Sequence, residues 1–102
     1  LRGEAQAARL LGRRAVTLIA QGRPAASAAA MAKLSMSTLS KRTADAGTRL
    51  LGPRALLEGG PDAIGDGRLA GVTRSTAGGS IAGGASEIQR RVIARQGLGC
   101  AA

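Results

Sequence analysis

A glycine pair followed by a serine-started helix is the part of this chain best suited to contact a ligand. Gly83 and Gly84 permit positive φ and let a ligand approach the backbone closely. Ser86 and Gln89 have the spacing of a capping box, in which each side chain accepts a hydrogen bond from the other residue's backbone N–H. The N–H groups at a helix start favour negative charge. This segment therefore predicts a turn that can meet an anionic group.

The composition bounds what the rest of the chain can do. Its 102 residues include no His, no aromatic residue and one cysteine, Cys100, so no internal disulfide and no metal site is expected. Leu and Ile must pack against many Ala and Gly, which bury little area each, and we expect the chain to be a C-terminal fragment that folds poorly alone. No apolar run approaches the ~20 residues of a membrane span, and no signal peptide is visible, so the cytoplasm is the expected compartment.

The formal charge of +9 favours anionic partners. Phosphate-bearing cofactors and nucleic acid are both candidates. The basic residues are spread widely and no aromatic residue is present to stack on bases. We therefore expect a solvated basic surface, with acidic partners elsewhere in a longer polypeptide, and no nucleic acid.

Apolar spacing and glycine or proline stops predict four helices, at about 1–21, 25–51, 69–76 and 86–96. Residues 59–67 and 77–84 are predicted to be loops. The second helix is rich in alanine and small hydroxyl residues, which predicts close packing on more than one side. The fold class is all-α, an incomplete antiparallel helical bundle.

The C-terminal string carries a specific resemblance. Gly84-Ala85-Ser86-Glu87-Ile88-Gln89-Arg90 leads into Val92-Ile93-Ala94-Arg95 and then Gly97-Leu98-Gly99. It resembles the C-terminal signature of acyl-CoA dehydrogenases. Ala32-Lys33, Leu50-Leu51-Gly52 and an arginine seven residues before Ile81, here Arg74, also have counterparts in that family.

The resemblance implies that residues 1–102 are the C-terminal part of the all-α domain of a three-domain flavoenzyme. Such enzymes use FAD to oxidise the Cα–Cβ bond of an acyl-CoA thioester. A carboxylate removes the α-proton, flavin N5 takes the β-hydride, and electrons pass to a flavoprotein acceptor. The resemblance further implies a dimer or tetramer of like or mixed subunits, in which this fragment is inactive alone.

The family's Gln-x-x-Gly-Gly-x-Gly stretch, which touches the FAD of a neighbouring subunit, reads here as Arg49 to Ala55. Gly52 matches, whereas Arg49 replaces the Gln, Pro53 the second glycine and Ala55 the third. Pro53 has no N–H to donate. Arg49 and Arg54 are predicted to meet the pyrophosphate as charge-assisted donors, and a plain helix-stopping turn is the alternative.

At the signature, Gly84, Ala85 and Glu87 occupy the positions that lie against the flavin in the family. Ala85 lacks the family's Thr hydroxyl, which removes one hydrogen bond worth about 0.5–1.5 kcal/mol. Glu87 can accept a bond from the cofactor or simply interact with the helix dipole.

Gly83 stands where many family members carry the catalytic Glu, so no base is predicted within this chain. Three explanations stay open, in this order: a base on an upstream helix, a non-catalytic subunit of a mixed oligomer, or a decayed copy. Glu87 and Asp66 are poor substitutes, because one lies beyond the helix start and the other in an unrelated loop.

Overall fold

The computed structural model describes residues 1–82 and 84–100, and these form four α-helices without a strand. They are α1 (Arg2–Ala20), α2 (Ala26–Leu51), α3 (Arg68–Ile81) and α4 (Ser86–Val92). A 3₁₀ turn, Gly52–Leu56, and a left-handed turn, Ile64–Gly67, in which Gly65, Asp66 and Gly67 have positive φ, connect α2 to α3, and a π-helical turn, Ile93–Gly97, follows α4. The all-α class predicted from the sequence is therefore confirmed.

Helix α2 is the centre of the fold, and each of the other helices packs on it. Two contacts show that α1 runs antiparallel to α2. Glu4, near the start of α1, pairs with Arg42 in the second half of α2, and the C-terminal end of α1 meets the start of α2. Helix α3 is also antiparallel, since Leu69 lies beside Gly47 and the carbonyl oxygen of Gly79 lies 3.5 Å from Ser37 Oγ.

The buried residues are small. Among the described residues, the buried apolar ones are all alanines: Ala8, Ala15, Ala28, Ala30, Ala44, Ala55 and Ala70. On α2, Ala30 and Ala44 share one face and Ala28 lies on nearly the opposite face. The alanines thus let α2 approach neighbours on two sides, as its composition predicts.

Helix α3 is longer than the sequence predicts. Residues 77–81 were expected to form part of a glycine turn, yet the helix continues through Gly78 and Gly79 to Ile81. Each helical glycine costs about 1 kcal/mol relative to alanine, but no proline interrupts the segment and α2 supports it. The last helix also differs: its α-helical part ends at Val92 and the π turn completes it.

In the described part of the chain, no helix has both the length and the apolar character that crossing a bilayer requires. Within the same residues, no three side chains of His, Cys, Asp or Glu cluster in a way that would hold a metal ion.

Candidate functional site

The turn before α4, residues 84 and 85, is attached to two other helices. Lys33 of α2 donates a hydrogen bond from its ammonium group to the carbonyl oxygen of Gly84. The Gly84 N–H donates to the carbonyl oxygen of Ile81, the last residue of α3, at 3.0 Å. Both polar groups of the Gly84 backbone are therefore satisfied, and the turn is held against α2 and α3.

The backbone at position 84 favours glycine, because its φ is +110°, a conformation that other residues rarely adopt. A Cβ there would lie 2.7 Å from Nε2 of Gln89, the end of a flexible side chain that would have to move. The Gln89 side-chain amide therefore lies close to this backbone. The positive φ that the sequence predicts for the glycine pair is present at Gly84.

The predicted capping box is wrong. The N-cap of α4 is Ala85, with φ −63° and ψ 156°, and no side chain caps this helix. Ser86 is the first helical residue, one position after the N-cap that a capping box would need it to occupy. The Gln89 N–H donates instead to the Ala85 carbonyl oxygen at 3.1 Å. Alanine is a poor N-cap because it offers no side-chain oxygen.

Glu87 is in the first turn of α4, where a carboxylate interacts favourably with the helix dipole. Its side chain is 79% exposed, and Oε1 lies 3.9 Å from Nη1 of Arg90, three residues along. Such an exposed pair is weak, so the carboxylate remains available to another partner.

A groove between α2 and α3 reaches the turn before α4. It has a volume of about 370 Å³ and is lined by Lys33, Met36, Ser37, Ser40, Val72, Ser75, Thr76, Gly79 and Ala82. Several of its hydroxyls donate to carbonyl oxygens of their own helix, as Thr76 does to Thr73 at 2.7 Å. These hydroxyls therefore offer acceptor oxygens to the groove.

The second candidate region is the 3₁₀ turn Gly52–Leu56 at the end of α2. Gly52 is half-buried and has φ +66°, and Pro53 follows it in the first turn of the 3₁₀ helix. Ala55 is only 1% exposed, so it packs inside the fold and offers no surface to a ligand.

Two arginines flank this turn, and each already meets a carboxylate. Arg49 Nε lies 3.0 Å from Asp45, and Arg54 Nη2 lies 3.7 Å from Asp62. The Arg54 Nε also donates to the Asp62 carbonyl oxygen at 3.2 Å. Both guanidinium groups are more than half exposed, so these pairs contribute little and can be exchanged for a more highly charged anion.

The structure does not bring the two candidate regions together. Lys33, which marks the turn before α4, and Arg49 are 16 residues apart on the same helix, about 24 Å at the rise of an α-helix. Arg49, Gly52 and Arg54 therefore belong to one end of α2, and Gly84, Ala85 and Glu87 to the other. The family's base position, Gly83, lies outside the described residues.

Lys33 is the residue of this region that sequence reasoning missed as a site residue. The sequence signal for Lys33 is the Ala32-Lys33 step, which is one of the counterparts in the resemblance. Nothing in the local pattern indicates that its ammonium reaches a carbonyl 51 residues away.

Comparison with models of protein families gives a match over most of the chain. The family model described as "Acyl-CoA dehydrogenase, C-terminal domain" matches residues 1–98. No curated protein and no solved structure matches the chain.

Proposed function

Because the chain belongs to the acyl-CoA dehydrogenase family, we propose that it is the C-terminal, cofactor-contacting part of an FAD-dependent enzyme that oxidises the Cα–Cβ bond of an acyl-CoA thioester. The family match over residues 1–98 is the observation that carries this proposal. The backbone at Gly84 supports it, because the family's signature glycine has a positive φ that other residues rarely adopt.

The residues present fit an FAD in charge. Arg49 and Arg54 are exposed cations that suit a pyrophosphate, and Glu87 is an exposed hydrogen-bond acceptor in the first turn of α4. Pro53 and Ala85 offer fewer hydrogen bonds than the family pattern has. The bound cofactor supplies the hydride-accepting atom, and this chain's residues bind and orient it.

The proposal includes an oligomer. As the resemblance implies, we assign Arg49, Gly52 and Arg54 to the FAD of a neighbouring subunit and Gly84, Ala85 and Glu87 to that of their own, and about 24 Å of α2 separates the two regions. On this assignment the protein is a dimer or tetramer. The acyl-CoA substrate and a flavoprotein electron acceptor are the further partners in this proposal.

The chain contributes no proton acceptor in the proposal. Gly83 has no side chain, and Glu87 is exposed and paired with Arg90. A base must be buried next to the substrate's α-carbon to have a suitable pKa, so we assign it to a helix upstream of this chain.

The test uses the full-length protein that contains this chain. Purified protein should bind FAD and show a flavin absorbance spectrum that bleaches with an acyl-CoA. The double variant Arg49→Gln/Arg54→Gln should weaken FAD binding about tenfold or more. The control Arg68→Gln/Arg91→Gln, which removes two exposed charges elsewhere, should bind normally. A full-length protein that cannot bind flavin would refute the proposal.

A non-catalytic structural subunit of a mixed acyl-CoA dehydrogenase oligomer is the second candidate. Gly83 at the base position and Pro53 in the cofactor turn favour it. It predicts co-purification with a distinct catalytic homologue and no turnover by this protein alone. Turnover by the homogeneous protein would exclude it.

A further inference from the structure

Arg54 is the arginine in the described part of the chain whose side chain donates to a main-chain carbonyl oxygen. Its Nε donates to the carbonyl oxygen of Asp62 at 3.2 Å, and its Nη2 lies 3.7 Å from Oδ1 of the same residue. Arg49 also meets an aspartate, Asp45, but only through the carboxylate, four residues earlier in the same helix. Asp62 therefore makes two different contacts with one guanidinium group, one through its backbone and one through its side chain.

A hydrogen-bonded turn presents Asp62 to Arg54. The Ala63 N–H donates to the Gly60 carbonyl oxygen at 3.1 Å, so Pro61 and Asp62 are the two central residues of the turn. Proline suits the first central position because its ring presets φ, and aspartate is one of the residues that turns favour. The position of the Asp62 backbone is thus set by the turn and does not depend on the Asp62 carboxylate.

The loop that carries this turn is anchored at both ends. Glu58, at its start, pairs with Arg74 of α3, with Oε1 and Nη2 2.7 Å apart. At its end, the backbone of Gly67 lies so close to that of Glu58 that a Cβ at position 67 would overlap the Glu58 carbonyl group. Asp62 therefore approaches Arg54 from a segment whose two ends are held together.

The two contacts of Asp62 differ in how they respond to a phosphate group. The carboxylate lies beyond hydrogen-bond distance from Nη2 and its side chain is 75% exposed, so this ion pair is weak. A phosphate carries more charge and forms shorter, charge-assisted hydrogen bonds with a guanidinium group. It can take the place of the carboxylate on Arg54 while the bond from Nε to the Asp62 carbonyl oxygen remains.

We propose that Asp62 tunes the affinity of this chain for its cofactor, an inference that rests on the proposed function, in which Arg54 meets the pyrophosphate of FAD. The main-chain carbonyl of Asp62 orients the guanidinium group, whereas its carboxylate competes with the pyrophosphate for the same group. Binding must displace the carboxylate and leaves two anions close to one cation, which lowers the affinity. Asp62 is thus a positioning residue through its backbone and a competitor through its side chain.

Two other roles for the Asp62 carboxylate predict different results. If it only held the loop in place, neutralising it would loosen Arg54 and weaken the binding of FAD. If it acted only through the net charge of the chain, neutralising any exposed carboxylate would have the same effect. Competition at Arg54 instead predicts a gain in affinity that is specific to position 62 and that requires the arginine.

The test measures the dissociation constant of FAD, from the change in flavin fluorescence, in flavin-free full-length protein. Asp62→Asn removes the charge but keeps the backbone carbonyl, and asparagine suits a turn as well as aspartate does. Glu4→Gln is the control of equal charge change, because Glu4 belongs to an exposed ion pair on α1. Arg54→Gln and Arg54→Gln/Asp62→Asn complete a double-mutant cycle.

We expect Asp62→Asn to tighten FAD binding about two- to fivefold, and Glu4→Gln to change it by less than about 1.5-fold. In the Arg54→Gln background, Asp62→Asn should have no larger effect than the control. Unchanged or weaker binding by Asp62→Asn, an equal gain in Glu4→Gln, or a full gain without Arg54 would each overturn this inference. Those three results leave FAD binding by the parent protein intact, whereas a parent protein that binds no FAD would refute the proposed function and this inference with it.

Discussion

Lys33 donates a hydrogen bond to the carbonyl oxygen of Gly84, and this bond joins the central helix to the turn from which α4 begins. Because no side chain caps α4, its start depends on contacts made by its neighbours. The family signature is therefore positioned from α2, by a lysine 51 residues earlier in the chain.

Replacing Lys33 with Met should loosen this turn. A hydrogen bond from a charged donor contributes about 1.5–3 kcal/mol when partly buried. We expect amide exchange in residues 84–89 to become about tenfold faster or more in the full-length protein. The control is Lys41→Met, which changes an exposed lysine of the same helix and should leave exchange there unaltered. Equal exchange rates in the Lys33 variant and the parent would show that the bond does not hold the turn.

Two glycines near the start of α3 should respond to alanine in opposite directions. A Cβ at Gly71 meets no atom within 4 Å, so Gly71→Ala should stabilise α3 by about 0.5–1 kcal/mol. Gly67 has φ +82° and its Cβ would overlap the Glu58 carbonyl group, so Gly67→Ala should destabilise the same region.

Amide exchange over residues 68–81 measures both changes, with the unchanged protein as reference. Slower exchange in Gly71→Ala together with faster exchange in Gly67→Ala is the expected result. The same direction of change in both variants would contradict the geometry of the junction between the left-handed turn and α3.

Helices α1 and α2 could be predicted from the sequence because their stops are local. Gly22 and Gly52 end them within a residue or two of the predicted positions, and alanine-rich composition indicated a helix packed on several sides. Boundaries inside glycine-rich sequence could not be predicted in the same way. Helix α3 continues through Gly78 and Gly79 because it packs on α2, and that contact is tertiary.

The candidate site shows the same division. The sequence predicts a positive φ in the glycine pair, and Gly84 has a φ of +110°. The Ser86–Gln89 pair has the right spacing for a capping box, but the helix begins one residue earlier than that motif requires. Lys33 and the separation of the two regions follow from the packing of distant segments, which no local spacing reports.

The alanine core predicts a sharp difference between adjacent positions of α2. Ala30 is 3% exposed, so Ala30→Leu forces extra volume between closely packed helices and should cost about 1–3 kcal/mol. Ala29→Leu is the matched control, since Ala29 is exposed and the change should stay within about 0.5 kcal/mol. Thermal unfolding of the full-length variants compares them, and similar melting temperatures would mean that α2 is not packed as tightly as described.

Salt should stabilise this part of the protein. The five ion pairs between the residues that the structure describes are exposed and contribute little, whereas like charges repel one another in a chain of 102 residues with a net charge of +9. Raising sodium chloride screens this repulsion more than it weakens the pairs, so amide exchange in α1 should slow as salt increases. The variant Arg2→Gln/Arg9→Gln/Arg13→Gln removes three exposed arginines that lie along one side of α1, and it should show a smaller salt effect in α1 than the control Lys41→Gln/Arg68→Gln/Arg91→Gln, which removes three exposed charges elsewhere. Faster exchange with salt would mean that the ion pairs contribute more than the repulsion costs.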